Sequence, residues 1–212
     1  MEALFSPDSK FMQAMSRIAD LILLNVIFLL SCVPIVTIGA AVTGLCTVCF
    51  RMGTPREHGV ITSYFRAFRD NWKQATALWL LLLFLGCTAC LNIRIFSRMP
   101  GVISYAAALF ALLFVLVLLI AAWVFPLLSQ FDNSISAMLK NAVFLSLGHL
   151  PRSILLVLIQ VFPFALLILQ PYLFFYTGFI WVLIYFSAAA YICSFLLKKA
   201  LAPYLPNEEE SA

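Results

Sequence analysis

The stretch LLNVIFLLSCVPIVTIGAAVTG, Leu23–Gly44, decides how this chain is read. It sits in an apolar run from Ile18 to Phe50 whose one charged residue is Asp20. A helix needs about 20 mostly apolar residues to cross the roughly 30 Å of membrane hydrocarbon. The run is too long for one crossing and short for two. Pro34 removes a backbone donor and biases Val33 away from helical geometry. Thr37 and Gly39 follow, so VPIVTIG reads as a break between two helices near Arg17–Cys32 and Gly39–Met52. The alternative is a single tilted and kinked helix over the whole run.

Composition supplies the solvent. Of 212 residues, 64% are hydrophobic and 10% charged, with mean hydropathy +1.06. Soluble domains carry about 25% charged residues and roughly half apolar ones. Four further apolar runs, Ala75–Leu91, Val102–Leu128, Ile154–Leu169 and Phe179–Leu197, complete the pattern. None alternates as barrel strands do, and helices satisfy their own backbone in lipid. The expected fold is an all-α, polytopic transmembrane bundle of about six segments. The second helix is short, and an amphipathic cytoplasmic helix precedes the third span. Residues 1–203 form a single membrane domain and 204–212 a short acidic tail. Lys10, Arg17 and the small residues Gly39–Ala41 raise a signal-peptide reading. Glu2 and Asp8 dilute its basic lead, and the apolar stretch is longer than such a leader uses.

Basic residues favour cytoplasmic loops beside the spans. With a hairpin at Pro34–Gly39, both termini face the cytoplasm, and 11 of the 13 Lys and Arg residues lie inside. Only Arg94 and Arg98 then face out, whereas five segments would divide the same charges 9 to 4. The hairpin is the better reading. Its outer connections are Val33–Ile38, Asn92–Gly101 and Gln170–Gly178, with Tyr105, Tyr172, Tyr176 and Trp181 near the headgroup boundary. The polar mass is cytoplasmic.

ADLILLN at Ala19–Asn25, PIVTIGA at Pro34–Ala40 and SYFRAFRDNWKQAT at Ser63–Thr76 together resemble the YesL family of bacterial membrane proteins. The similarity starts at LFSPDSKFM, Leu4–Met12, and continues more loosely towards the C-terminus. Gly44 and Cys46 depart from the larger or aromatic residues common after the break. The resemblance implies a Gram-positive bacterial membrane protein with no defined catalytic residues. It also implies an accessory or regulatory role beside carbohydrate ABC importers or two-component sensors, whose genes are frequent neighbours. ABC-transporter or sensor-kinase subunits are the implied partners.

The side chains themselves favour a nonenzymatic protein. The two CxxC pairs, Cys46/Cys49 and Cys87/Cys90, have the spacing of a thiolate zinc site. The topology separates them, since Cys87 lies about 21 Å along a helix from Lys73 while Cys49 is beside Arg51. Packing thiols are the simpler reading, and no metal or cofactor is expected. His58 and His149 lack an evident nucleophile or carboxylate partner, and no phosphate-binding loop is present. Nucleic acid is not an expected partner.

Polar groups inside a membrane run are functional candidates by default. Asp20, Asn25, Pro34, Thr37 and Gly39 form the candidate intramembrane site, which would serve a small-solute transporter or permease component as the alternative function. Structural readings weigh against it. Asp20 is three residues from Arg17, Asn25 can bond a neighbouring helix, and Pro34–Gly39 is a turn. Ala40 and Gly44 permit close helix packing. The segment Val60–Lys73 carries the interaction signal. Ile61, Tyr64, Phe65, Phe68 and Trp72 recur at helical spacing, with Arg66, Arg69 and Lys73 as a basic stripe. These three are the candidate contacts for anionic inner-leaflet lipid or a cytoplasmic partner, each worth about 1 kcal/mol at an anionic surface. Ser134–His149 is a second cytoplasmic element.

Overall fold

The computed structural model describes residues 10–52 and 59–201. The tail, the N-terminal LFSPDS, and Arg56, Glu57 and His58 lie outside them. The described chain is all helical. In order it forms α1 (Lys10–Ser31), α2 (Ile38–Arg51), α3 (Val60–Phe96), α4 (Ala106–Leu128), α5 (Ile135–Gly148), α6 (Leu150–Leu169), a short α7 (Pro171–Tyr176) and α8 (Gly178–Leu201). Five helices are long and apolar enough to cross a membrane: α1, α3, α4 with the turn before it, α6 and α8. The protein is a multi-span helical membrane bundle.

The break falls where the sequence places it. Pro34 is extended, and Ile35–Thr37 make one 3₁₀ turn before α2 begins. α2 then folds back along α1. Leu21 on α1 and Cys49 on α2 both contact Ser187, at the end of the pair opposite the turn. Two corrections follow from helix length. α2 has 14 residues, so it is about 21 Å long and falls short of roughly 30 Å of hydrocarbon. It is not a sixth span of full length. The amphipathic segment Val60–Lys73 is also not a separate helix, since α3 runs unbroken for 37 residues. The reason is local: from Val60 to Leu85 there is no Gly or Pro to stop it.

α2 is the buried centre. Ten of its 14 residues are buried, so it has no face to give to lipid. One side joins Leu21, Leu24, Phe28 and Tyr64 in a cluster with α1 and the start of α3. The other side, through Ala40 and Phe50, joins Leu78, Trp123, Phe125 and Leu201 in the larger core. Contact with α3 is close enough to require glycine. A Cβ on Gly39 would strike the Ala75 carbonyl oxygen and come within 2.7 Å of Trp79 Cβ. One on Gly44 would meet the Tyr64 ring at 3.1 Å. Of the expected pair Ala40 and Gly44, Gly44 makes this approach, and Gly39 makes it in place of Ala40, which joins the larger core.

Beyond Trp79, α3 pairs with α4. Trp79 packs on Phe125 and, at the far end, Phe96 stacks on Phe110, so the two helices run antiparallel. Gly101, with φ of 77°, permits the turn between them. Trp123 donates its indole N–H to Ser153 Oγ at 2.8 Å and thereby ties α4 to α6. The Tyr185 hydroxyl donates to Ile159 O at 2.7 Å and ties α8 to α6.

The buried polar site at the helix break

The expected site residues separate into a buried arrangement, one at the helix break and one on an exposed helix face. The first is centred on Asn25, which is fully buried. Opposite it, Trp181–Tyr185 form a π-helical turn within α8. A π turn widens the hydrogen-bond step from four to five residues and leaves the ladder out of register. Asn25 meets the displaced groups. Its Nδ2 donates to Trp181 O at 3.1 Å and Val182 O at 2.6 Å, while its Oδ1 accepts the Ser187 N–H at 3.0 Å. A carboxamide offers two donors and an acceptor in one plane, the complement this backbone needs. Ser187 Oγ lies 2.7 Å from Leu21 O and 3.0 Å from Ile184 O, and Cys49 Sγ is 3.8 Å from Ser187 O. One polar node thus joins α1, α2 and α8 within an apolar surround.

The second arrangement closes the break itself. Helix ends leave carbonyls without partners, and in lipid each must be met by protein. Cys32 N–H returns to Phe28 O at 3.0 Å, and Thr37 N–H to Pro34 O at 3.0 Å. Thr37 Oγ1 lies 2.7 Å from both Ser31 O and Pro34 O and shares its single proton between them. Trp79 Nε1 donates to Ile35 O at 2.9 Å from α3. Pro34 itself is exposed and Gly39 is buried under α3. Along α3, Trp79 is six residues beyond Lys73 and fifteen before Arg94. The turn therefore meets α3 nearer its basic stretch than the Arg94 end.

Asn25, Thr37 and Gly39 belong to this connected structure. Asp20 is half-buried on α1, one turn from Arg17. Ser187 and the Trp79 indole are the partners that sequence reading missed. Ser187 is a polar residue inside the last apolar run, and that was the available signal. Nothing in the local sequence marks the π turn.

The third arrangement is the exposed face of α3. Arg66, Arg69 and Lys73 are all exposed there, and so are Ile61, Phe65 and Trp72. Tyr64 and Phe68 turn inward, with Tyr64 fully buried. The expected single apolar face is thus divided. Its inward half binds α2, and its outward half lies beside the basic residues. The CxxC pairs stay apart, Cys46 and Cys49 within the α2 packing and Cys87 and Cys90 exposed on α3. Among the described residues, no cluster of three or more His, Cys, Asp or Glu side chains is arranged to hold a metal ion.

Residues 21–93 match the family model described as "Protein of unknown function, DUF624", the YesL-like family. The match covers about a third of the chain and takes in most of α1, the break, α2 and nearly all of α3. No curated protein and no solved structure matches the chain.

Proposed function

We propose that this protein is a nonenzymatic multi-pass membrane subunit that assists or regulates a carbohydrate ABC importer or a two-component signalling complex. The observation that carries this reading is that the polar groups of the Asn25 node and of the helix break are engaged by protein. Asn25 has both donors and its acceptor engaged by α8, and the backbone at Pro34–Gly39 is closed by Thr37 and Trp79. A transport site built on a broken helix needs free backbone groups to hold its solute. Here those groups hold the protein together, which weighs against the alternative of a small-solute transporter. The exposed charge instead lies on α3 at Arg66, Arg69 and Lys73, beside Phe65 and Trp72. Basic residues interleaved with aromatics suit an anionic leaflet or the acidic surface of a membrane partner.

The same reading includes a topology. Counted from Arg17, the α1 arm has 15 residues to Ser31 and α2 has 14, so each reaches about 21 Å, with Lys10–Ser16 of the 22-residue α1 lying before the membrane boundary. Entering and leaving by the cytoplasmic side, the hairpin is re-entrant and its tip stays within the membrane. α3, α4, α6 and α8 then cross fully, and both termini are cytoplasmic.

A photocrosslinker placed at Phe65 or Arg69 in native membranes tests the role. Capture of a permease or sensor-kinase subunit is the expected result, with a yield that changes on adding sugar. Capture of lipid alone, together with solute flux in purified proteoliposomes, would reverse the choice between accessory subunit and transporter.

A further inference from the structure

Four recesses stand out among the described residues, and three are walled almost wholly by hydrocarbon. The fourth differs in chemistry. It is a cleft of about 480 Å³ at the meeting of α4, α5 and the end of α8, bounded by Phe131, Asn133, Asn141, Phe144, His149 and Leu201. Small-molecule sites usually measure about 300–1,000 Å³ and combine apolar walls with a few polar groups that orient the ligand.

The polar groups here are uncommitted. The carboxamides of Asn133 and Asn141 have no hydrogen-bond partner among the described residues, in contrast to that of Asn25. Gln74 Nε2 donates to the Asn133 backbone oxygen and holds that wall against α3. His149 stacks on Trp123 with ring centroids 6.1 Å apart and an interplanar angle of 24°. Among the described residues, no carboxylate, guanidinium or ammonium group lines the cleft, a lining that suits a neutral ligand. Carboxamides and imidazole each both donate and accept, as hydroxyl groups do. Phe131 and Phe144 provide apolar ring faces, and the open side formed by exposed Asn133, Asn141 and Phe144 suits a ligand that keeps part of its hydration.

We infer that this cleft binds a neutral hydroxylated ring, a monosaccharide or one end of a short saccharide. The inference deepens the accessory role above and rests on it for the source of the sugar. Binding needs only the purified protein, so its failure leaves that role standing, and loss of the role leaves binding intact.

The full-length protein in lipid nanodiscs is titrated with D-glucose, D-galactose, D-xylose and maltose. Tryptophan fluorescence reports through the Trp123–His149 stack, and thermal unfolding reports independently, because a ligand of the folded state raises the midpoint. At least one sugar should give a saturable response in both, weakened about tenfold or more by Asn141→Leu and by Asn133→Leu. Asn133 and Asn141 are exposed, so both variants should fold with the parental unfolding midpoint. Absence of a saturable response to all four sugars overturns the inference. So does a response that both variants retain, which locates binding elsewhere, or displacement of the sugar by glycerol phosphate at lower concentration, which assigns the cleft to a lipid headgroup.

Discussion

Ser187 donates its backbone N–H to Asn25 Oδ1 at 3.0 Å, across 162 positions of sequence. This contact joins the first helix to the last at the point where α8 widens into a π turn. Replacing Asn25 with Leu removes both donors and the acceptor while keeping a similar volume. The cost is expected at about 1–3 kcal/mol, since several buried polar groups lose a partner but membrane hydrogen bonds are individually modest. Thermal unfolding in nanodiscs measures it. Asn92→Leu is the comparison, because Asn92 only returns a bond to Thr88 O on its own helix. Equal losses in the two variants would mean that the Asn25 node is not a structural tie.

Gly39 tests the approach of α2 to α3. Gly39→Ala drives a methyl against the Ala75 carbonyl and Trp79, and backbone cannot yield as a side-chain tip can. A loss of about 1–3 kcal/mol is expected from such overpacking. Gly86→Ala should instead be neutral or stabilising by up to about 1 kcal/mol, since its new methyl finds Phe114 and Val117 at 4.0 Å within a long helix. Chemical denaturation of both variants separates steric conflict from any general intolerance of change in the bundle.

The break invites a hydrogen-exchange experiment. Thr37→Val and Trp79→Phe each remove a donor that closes the Ser31–Ile38 turn. Amides at Thr37 and Ile38 should exchange faster in either variant, while those of α6 stay as they were. Unchanged exchange at the turn would show that the closure is not maintained by these two side chains.

The basic face of α3 should select lipid charge. Arg66→Gln, Arg69→Gln and Lys73→Gln together should reduce retention of phosphatidylglycerol over phosphatidylcholine, as read by native mass spectrometry. High salt should reduce the parental preference as well, because exposed charges are screened. The fold should be unaffected, since all three side chains are exposed.

Much of this architecture was legible in the sequence because it follows from hydropathy and from Pro34. The apolar runs, the break and the need for small residues in α2 are local properties, and the chain obeys them. What was hidden depends on three-dimensional pairing. The outward and inward halves of Ile61–Trp72 share one apolar periodicity, and only the presence of α2 assigns Tyr64 to the core. Charge at Arg66–Lys73 suggests the end of an interfacial helix there, yet no Gly or Pro occurs between Lys73 and Leu85 to end it. Asn25 was visible as a buried polar group. Its role depends on a π turn more than 150 residues away, which has no local signature. Charge counting sets the side on which the Val33–Ile38 turn lies and carries no information on its depth.

That depth is the central claim, and cysteine accessibility measures it directly. In a background with the six native cysteines replaced, Val33→Cys and Val102→Cys are each treated with a membrane-impermeant maleimide on intact cells. Both positions are exposed on the protein, at 77% and 82%, so protein burial does not distinguish them. A re-entrant hairpin predicts that Val102→Cys is labelled from outside while Val33→Cys is protected by lipid. Labelling of Val33→Cys as rapid as that of Val102→Cys would contradict the account and restore a hairpin that crosses the membrane completely.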